Sequence, residues 1–78
     1  MHAGDGRIRL RTALNALLTL TLTVYDLSGK TVYREVVVPG SRLLDHPLDL
    51  SQLEKGGYVL GLSDGQSADR FARFLISR

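Results

Sequence analysis

The residues that could do chemistry are few and scattered. His46 stands between Asp45 and Pro47, and the other histidine is His2, at the start of the chain. Acid–base catalysis needs titratable groups gathered in a pocket, and a nucleophile needs a base beside it. Zinc needs a ligand set that two histidines and no cysteine do not supply. His46 therefore reads as a surface loop residue ahead of a strand. Asp26-Leu27-Ser28-Gly29 and Asp64-Gly65 begin like calcium loops but lack the further spaced oxygens, so both read as turns. The glycines sit at turns and do not form a phosphate-binding spacing. Arg7, Arg9 and Arg11 alternate along one segment. A nucleic-acid site would cluster such charges beside stacking aromatics, so these three read as a solvated strand face. The expectation is no catalytic residue, metal, cofactor or nucleic-acid partner: not an enzyme, but a module recognised by another protein.

The elements that position these residues come from a chain of 78 amino acids, enough for one domain. With no cysteine, neither a disulfide nor a thiolate metal site can hold the fold, so an apolar core must do so alone. Composition is 44% apolar but only 6% aromatic, which makes that core one of Leu and Val. A formal charge of +2 supports solubility and specifies no partner. Residues 2–6 have neither the basic head nor the apolar run of a signal peptide. The most apolar stretch, 13–24, is broken by Asn15 and three threonines and is too short to cross a bilayer. The chain reads as a soluble domain, and an export signal would lie on sequence outside it.

Period two dominates. In Leu18-Thr19-Leu20-Thr21-Leu22-Thr23-Val24-Tyr25 the even positions are apolar and the odd ones polar, the signature of a strand wet on one face. Thr19, Thr21 and Thr23 should face out. Ile8 and Leu10 alternate with the arginines in a first strand over 7–12. The link 13–17 reads either as a hairpin turning at Asn15-Ala16 or as a short helical piece. Asp26 to Gly29 suits a hairpin loop into a strand over 30–38, which Pro39-Gly40 ends as a type II turn. Leu48 and Leu50 flank Asp49 in a short strand. Ser51-Gln52-Leu53-Glu54 has capping-box spacing, predicting one helical turn closed by Gly56, with Leu53 plugging the end of the core. Tyr58, Leu60 and Leu62 alternate on the next strand. Asp64-Gly65 makes a tight hairpin turn. The last strand, 68–77, sets Ala72, Phe74 and Ile76 against Arg73 and Leu75. Six or seven short strands with regular turn signals predict an all-β fold, a small Ig-like antiparallel sandwich with one short helical turn. The domain is expected over 7–78, with residues 1–6 a disordered or non-native start.

Three stretches carry a resemblance. Thr23-Val24-Tyr25-Asp26-Leu27-Ser28-Gly29-Lys30-Thr31-Val32 resembles the hairpin motif of type A C-terminal sorting domains of the type IX secretion system. Leu48-Asp49-Leu50-Ser51-Gln52-Leu53-Glu54-Lys55-Gly56-Gly57-Tyr58 is similar to that family's second motif, with Leu53, Gly56 and Tyr58 at its recurrent spacing. Phe74-Leu75-Ile76-Ser77-Arg78 resembles its apolar closing strand with a basic last residue. Met1 to Gly6 replace the Pro-Asn-Pro-like opening usual in the family.

The resemblance implies a non-catalytic signal appended to secreted proteins of Bacteroidota. It implies reading in the periplasm by the outer-membrane translocon and its shuttle protein, and removal by a sortase-like peptidase as cargo reaches the cell surface or the medium. Motif and recognition residues would be Tyr25, Asp26, Gly29, Leu53, Gly56, Tyr58, Arg73, Phe74, Ile76 and Arg78. Open sheet edges also allow strand exchange into a homodimer. Two other readings remain at this point: an Ig-like structural or adhesive module of a secreted protein, and a small carbohydrate-binding domain, which would want an exposed aromatic platform. A sorting signal should stand at the C-terminus of its gene product.

Overall fold

Leu20, Leu22 and Val24 point one way from a strand that has neighbours on both sides in the larger sheet, and their burial draws the rest of the fold around them. The computed structural model describes residues 2–3, 6–66 and 68–77. Its strands are β1 (His2–Ala3), β2 (Arg7–Ala13), β3 (Leu20–Asp26), β4 (Thr31–Val37), β5 (Leu43–Asp49), β6 (Gly56–Ser63) and β7 (Arg70–Ile76). The larger sheet has the order β1-β7-β6-β3-β4, and β2 pairs with β5 in the smaller one. Every pairing is antiparallel except that of β1 with β7.

The two sheets enclose one core. Leu20, Leu22, Val24, Leu60 and Leu62 from the larger sheet join Leu48 and Leu50, with Ile8, Tyr58, Phe74 and Ile76 in the same cluster. Burying each such aliphatic side chain contributes roughly 1.5–3 kcal/mol before chain entropy is subtracted. The architecture is the expected all-β sandwich. Thr21 is on the outer face, as the alternation requires. Thr23 shares that face but is only 5% exposed, because it lies mid-sheet between Arg34 on β4 and Gly61 on β6. Register was legible there; the degree of burial was not.

Several local expectations are corrected. The link expected over 13–17 is neither hairpin nor helix: β2 runs through Ala13, and residues 14–19 carry the chain from one sheet to the other, the Leu14 N–H donating to the Arg42 carbonyl. No helix occurs among the described residues. At 50–53 the Leu53 N–H bonds to the Leu50 carbonyl in a single turn, and Asp49 Oδ1 accepts from the Ser51 N–H. The capping-box letters are thus used by an Asp-initiated turn. Gly40 lacks the positive φ that a type II turn demands. Asp64-Gly65 opens a longer loop, since β6 ends at Ser63 and β7 begins at Arg70.

The largest departure is β5, which runs through His46 and Pro47 where the sequence reads as loop. Proline argues against a central strand. Among the described residues, however, β5 has β2 as its only strand neighbour, and an edge strand accommodates a residue without an N–H on its open side. His46 consequently sits on the core-facing side of β5, between Leu44 and Leu48, and not on a surface loop. The sheet also begins upstream of Arg7. His2 and Ala3 pair with Leu75 and Ile76, and Gly6 is buried where the chain passes from the larger to the smaller sheet.

Candidate recognition site

Three motif segments far apart in sequence meet at one end of the larger sheet. Asp26 pairs with Tyr58, and Tyr58 with Phe74, forming a row across β3, β6 and β7. One step inward, Tyr25, Val59 and Arg73 form the next row.

The Asp26 carboxylate organises the β3–β4 hairpin. Its Oδ1 accepts from the Ser28 N–H at 2.9 Å, the Ser28 hydroxyl at 2.6 Å and the Lys30 N–H at 3.0 Å. The Ser28 hydroxyl, then the Lys30 N–H, hold its carboxyl below the ordinary carboxylate range. Gly29 closes the loop at φ 91°, and its N–H reaches the Asp26 carbonyl. A residue with a Cβ is strained in that conformation.

The second motif is equally architectural. Leu53 is half-buried against the core, as expected. Gly56 starts β6 at φ 152°. Tyr58 is buried, its ring stacked 5.7 Å from that of Phe74, and its hydroxyl donates to the Glu54 carbonyl at 2.6 Å. Phe74 and Ile76 are core residues. Tyr25 lies half-buried on the outer face with its ring beside Gly61. Arg78 lies outside the described residues.

Of the residues singled out from sequence, Arg73 is the exposed one on the last strand. The structure gives it companions that sequence reasoning missed. Phe71, 62% exposed, and Leu75, 47% exposed, flank it on the same face of β7. Leu27 projects from the hairpin loop over Gly57, whose register partner is Leu75. Leu27, Gly57, Tyr58, Arg73, Phe74 and Leu75 line a cleft of about 290 Å³. The available signal was Leu27, an apolar residue at the exposed tip of a turn.

The former chemical candidates are otherwise engaged. His46 Nε2 lies 3.0 Å from Glu35 Oε2, and the Tyr33 hydroxyl donates to Glu35 Oε1 at 2.7 Å. The Glu35 carboxylate raises the Tyr33 phenol above its ordinary value, with burial adding to the effect. Arg9 and Arg11 both reach Asp45 on the outer face of the smaller sheet, and the Arg9 contact lowers the Asp45 carboxyl. No group of three or more metal-ligating side chains occurs among the described residues.

Fold and site together define a small β-sandwich domain whose shared-motif residues build one end of a sheet. Over residues 5–77 the chain matches the family described as Secretion system C-terminal sorting domain, and it belongs to that family. It is a type IX sorting domain, which marks the protein carrying it for export across the outer membrane. No curated protein and no solved structure matches the chain.

Proposed function

We propose that this domain acts as a non-catalytic transport signal. It is read in the periplasm by the outer-membrane translocon and its shuttle protein, and its cargo is freed or anchored at the surface by a sortase-like peptidase. The observation that carries this reading is the family match over nearly the whole chain. The geometry supports it: His46 is occupied by Glu35 between the sheets, and the exposed apolar and cationic side chains gather near the motif end. Among the described residues β2, β4 and β5 have open edges, which leave room for strand exchange between copies, a state that light scattering would detect. The test is a fluorescent reporter carrying a periplasmic export signal and this domain at its C-terminus, in a host with the type IX apparatus. The reporter should appear outside the cells and remain periplasmic when the translocon gene is deleted. A folded fusion retained in the periplasm of both strains would overturn the reading.

A further inference from the structure

On the outer face of the larger sheet, Thr23 of β3, Gly61 of β6 and Phe71 of β7 form one row across the strands. Gly61 leaves the middle of that row without a side chain, and two rings lean into the space from either side. A Cβ built on Gly61 would lie 3.1 Å from Phe71 Cε1 and 3.3 Å from Tyr25 Cε2. Gly61 is buried beneath them, while Tyr25 stays half-buried and Phe71 is 62% exposed. A strand added beyond β7 would lie in the plane of the sheet, beside this face and not over it.

Arg34 on β4 and Arg73 on β7 flank the rings, three strand spacings or roughly 14 Å apart. Both are exposed, and neither has an ion pair among the described residues. The outward positions of β3, β4, β6 and β7 hold no carboxylate. Glu35 turns inward to His46, and Asp26 serves its own hairpin. Asn and Gln are also missing from those positions, so the planar groups that would bond sugar hydroxyls are not there. An aromatic centre between two guanidiniums has instead the composition of a protein-binding surface.

We propose that this face docks an extended acidic segment of a partner protein, lying across the strands. An apolar side chain sits on the Tyr25–Phe71 pair, and a carboxylate meets each arginine. Alternate residues of an extended chain point the same way, and four residues span roughly 13 Å. The pattern is therefore acidic, any, apolar, any, acidic. The guanidiniums take the carboxylates as bidentate pairs, and the rings cover the apolar group. This names the surface by which the transport signal is read, and so rests on the preceding reading.

The probe is the capped peptide Glu-Ser-Phe-Ser-Glu, titrated into the isotopically labelled protein to about 5 mM, enough to populate even a millimolar complex. Saturating NMR shifts should map to Tyr25, Gly61 and Phe71 and spare the smaller sheet. Ser in place of the central Phe should weaken binding about tenfold. Arg34→Glu combined with Arg73→Glu should weaken it about tenfold or more at an unchanged melting temperature, and a peptide with Lys in place of Glu should bind that variant. No saturation, shifts elsewhere, indifference to the charge swap, or tighter binding of an oligogalacturonate would overturn the proposal. In the secretion assay the double variant should lose export. Equal export of this variant and wild type also overturns it, whereas a wild-type fusion that stays periplasmic overturns the transport reading and leaves the titration to decide the surface.

Discussion

His46 Nε2 and Glu35 Oε2 stand 3.0 Å apart in the gap between the two sheets, joining the strand β4 of one to the strand β5 of the other. The Tyr33 hydroxyl completes the cluster from the same strand as Glu35. Its phenol is raised above the ordinary value of 10.0, so the fold favours the protonated form. Stability from this group is therefore fully present below about pH 10 and is lost as pH rises through the elevated pKa. Glu35→Gln keeps a hydrogen-bonding side chain and removes the charge. The Tyr33 pKa, followed by NMR of its ring protons, should fall toward the ordinary value. An unchanged titration in the variant would refute the assigned cause.

Asp26 sets the opposite limb. Its carboxyl is held below 3.8, so the stabilisation is present above that pH and declines as pH falls through the depressed folded-state value. Asn at this position still accepts from the Ser28 and Lys30 N–H groups but does not titrate. Chemical denaturation across the acid range should show a flatter decline for Asp26→Asn than for wild type. Part of the decline will persist through Asp45, which Arg9 lowers in the same direction. Parallel acid limbs would count against the hairpin role of the carboxylate.

Gly6 and Gly29 separate two penalties. Both have positive φ, but an added Cβ at Gly29 meets nothing within 4 Å, whereas at Gly6 it would fall 2.8 Å from the Leu50 carbonyl oxygen. Gly29→Ala should cost about 1–2 kcal/mol, the ordinary left-handed penalty. Gly6→Ala should cost clearly more, because the Gly6 carbonyl also receives the Leu50 N–H and backbone cannot step aside as a side chain can. Urea midpoints of the two variants check the order, and a milder effect at Gly6 contradicts the close packing there.

Gly56→Val tests conformation without a clash, since nothing lies within 4 Å of an added Cβ. At φ 152° the substitution should cost on the order of 1–3 kcal/mol through backbone strain alone. Thermal melting unchanged from wild type would exclude that strain.

Tyr58 divides into a ring and a hydroxyl. Tyr58→Phe keeps the stack on Phe74 and removes the bond to the Glu54 carbonyl, so a loss of about 1 kcal/mol is expected. Phe74→Ala empties a core position and should cost about 3–5 kcal/mol. Equal losses would mean that the hydroxyl contributes far more than a single bond.

What the sequence determined by itself was whatever is written in local alternation and turn chemistry. β2, β3, β6 and β7 carry their period in consecutive residues, so their faces follow from the geometry of one strand. The Asp26 to Gly29 hairpin is likewise local, since the carboxylate that organises it lies two and four residues from its donors. Motif residues were legible too, though most proved to be core or turn: Leu53, Gly56, Tyr58, Phe74 and Ile76. Tertiary structure decided the rest. β5 was hidden by Pro47, because a proline's effect depends on whether its missing donor faces a neighbour or open solvent. Gly6 gains its importance from Leu50, and His46 from Glu35, partners that only the packing of one sheet on the other brings within reach. The cleft joining Leu27, Gly57 and Leu75 draws on three strands or loops distant in the chain. Whether an alternating strand presents its backbone edge to solvent is a property of strand order, which local pattern does not encode.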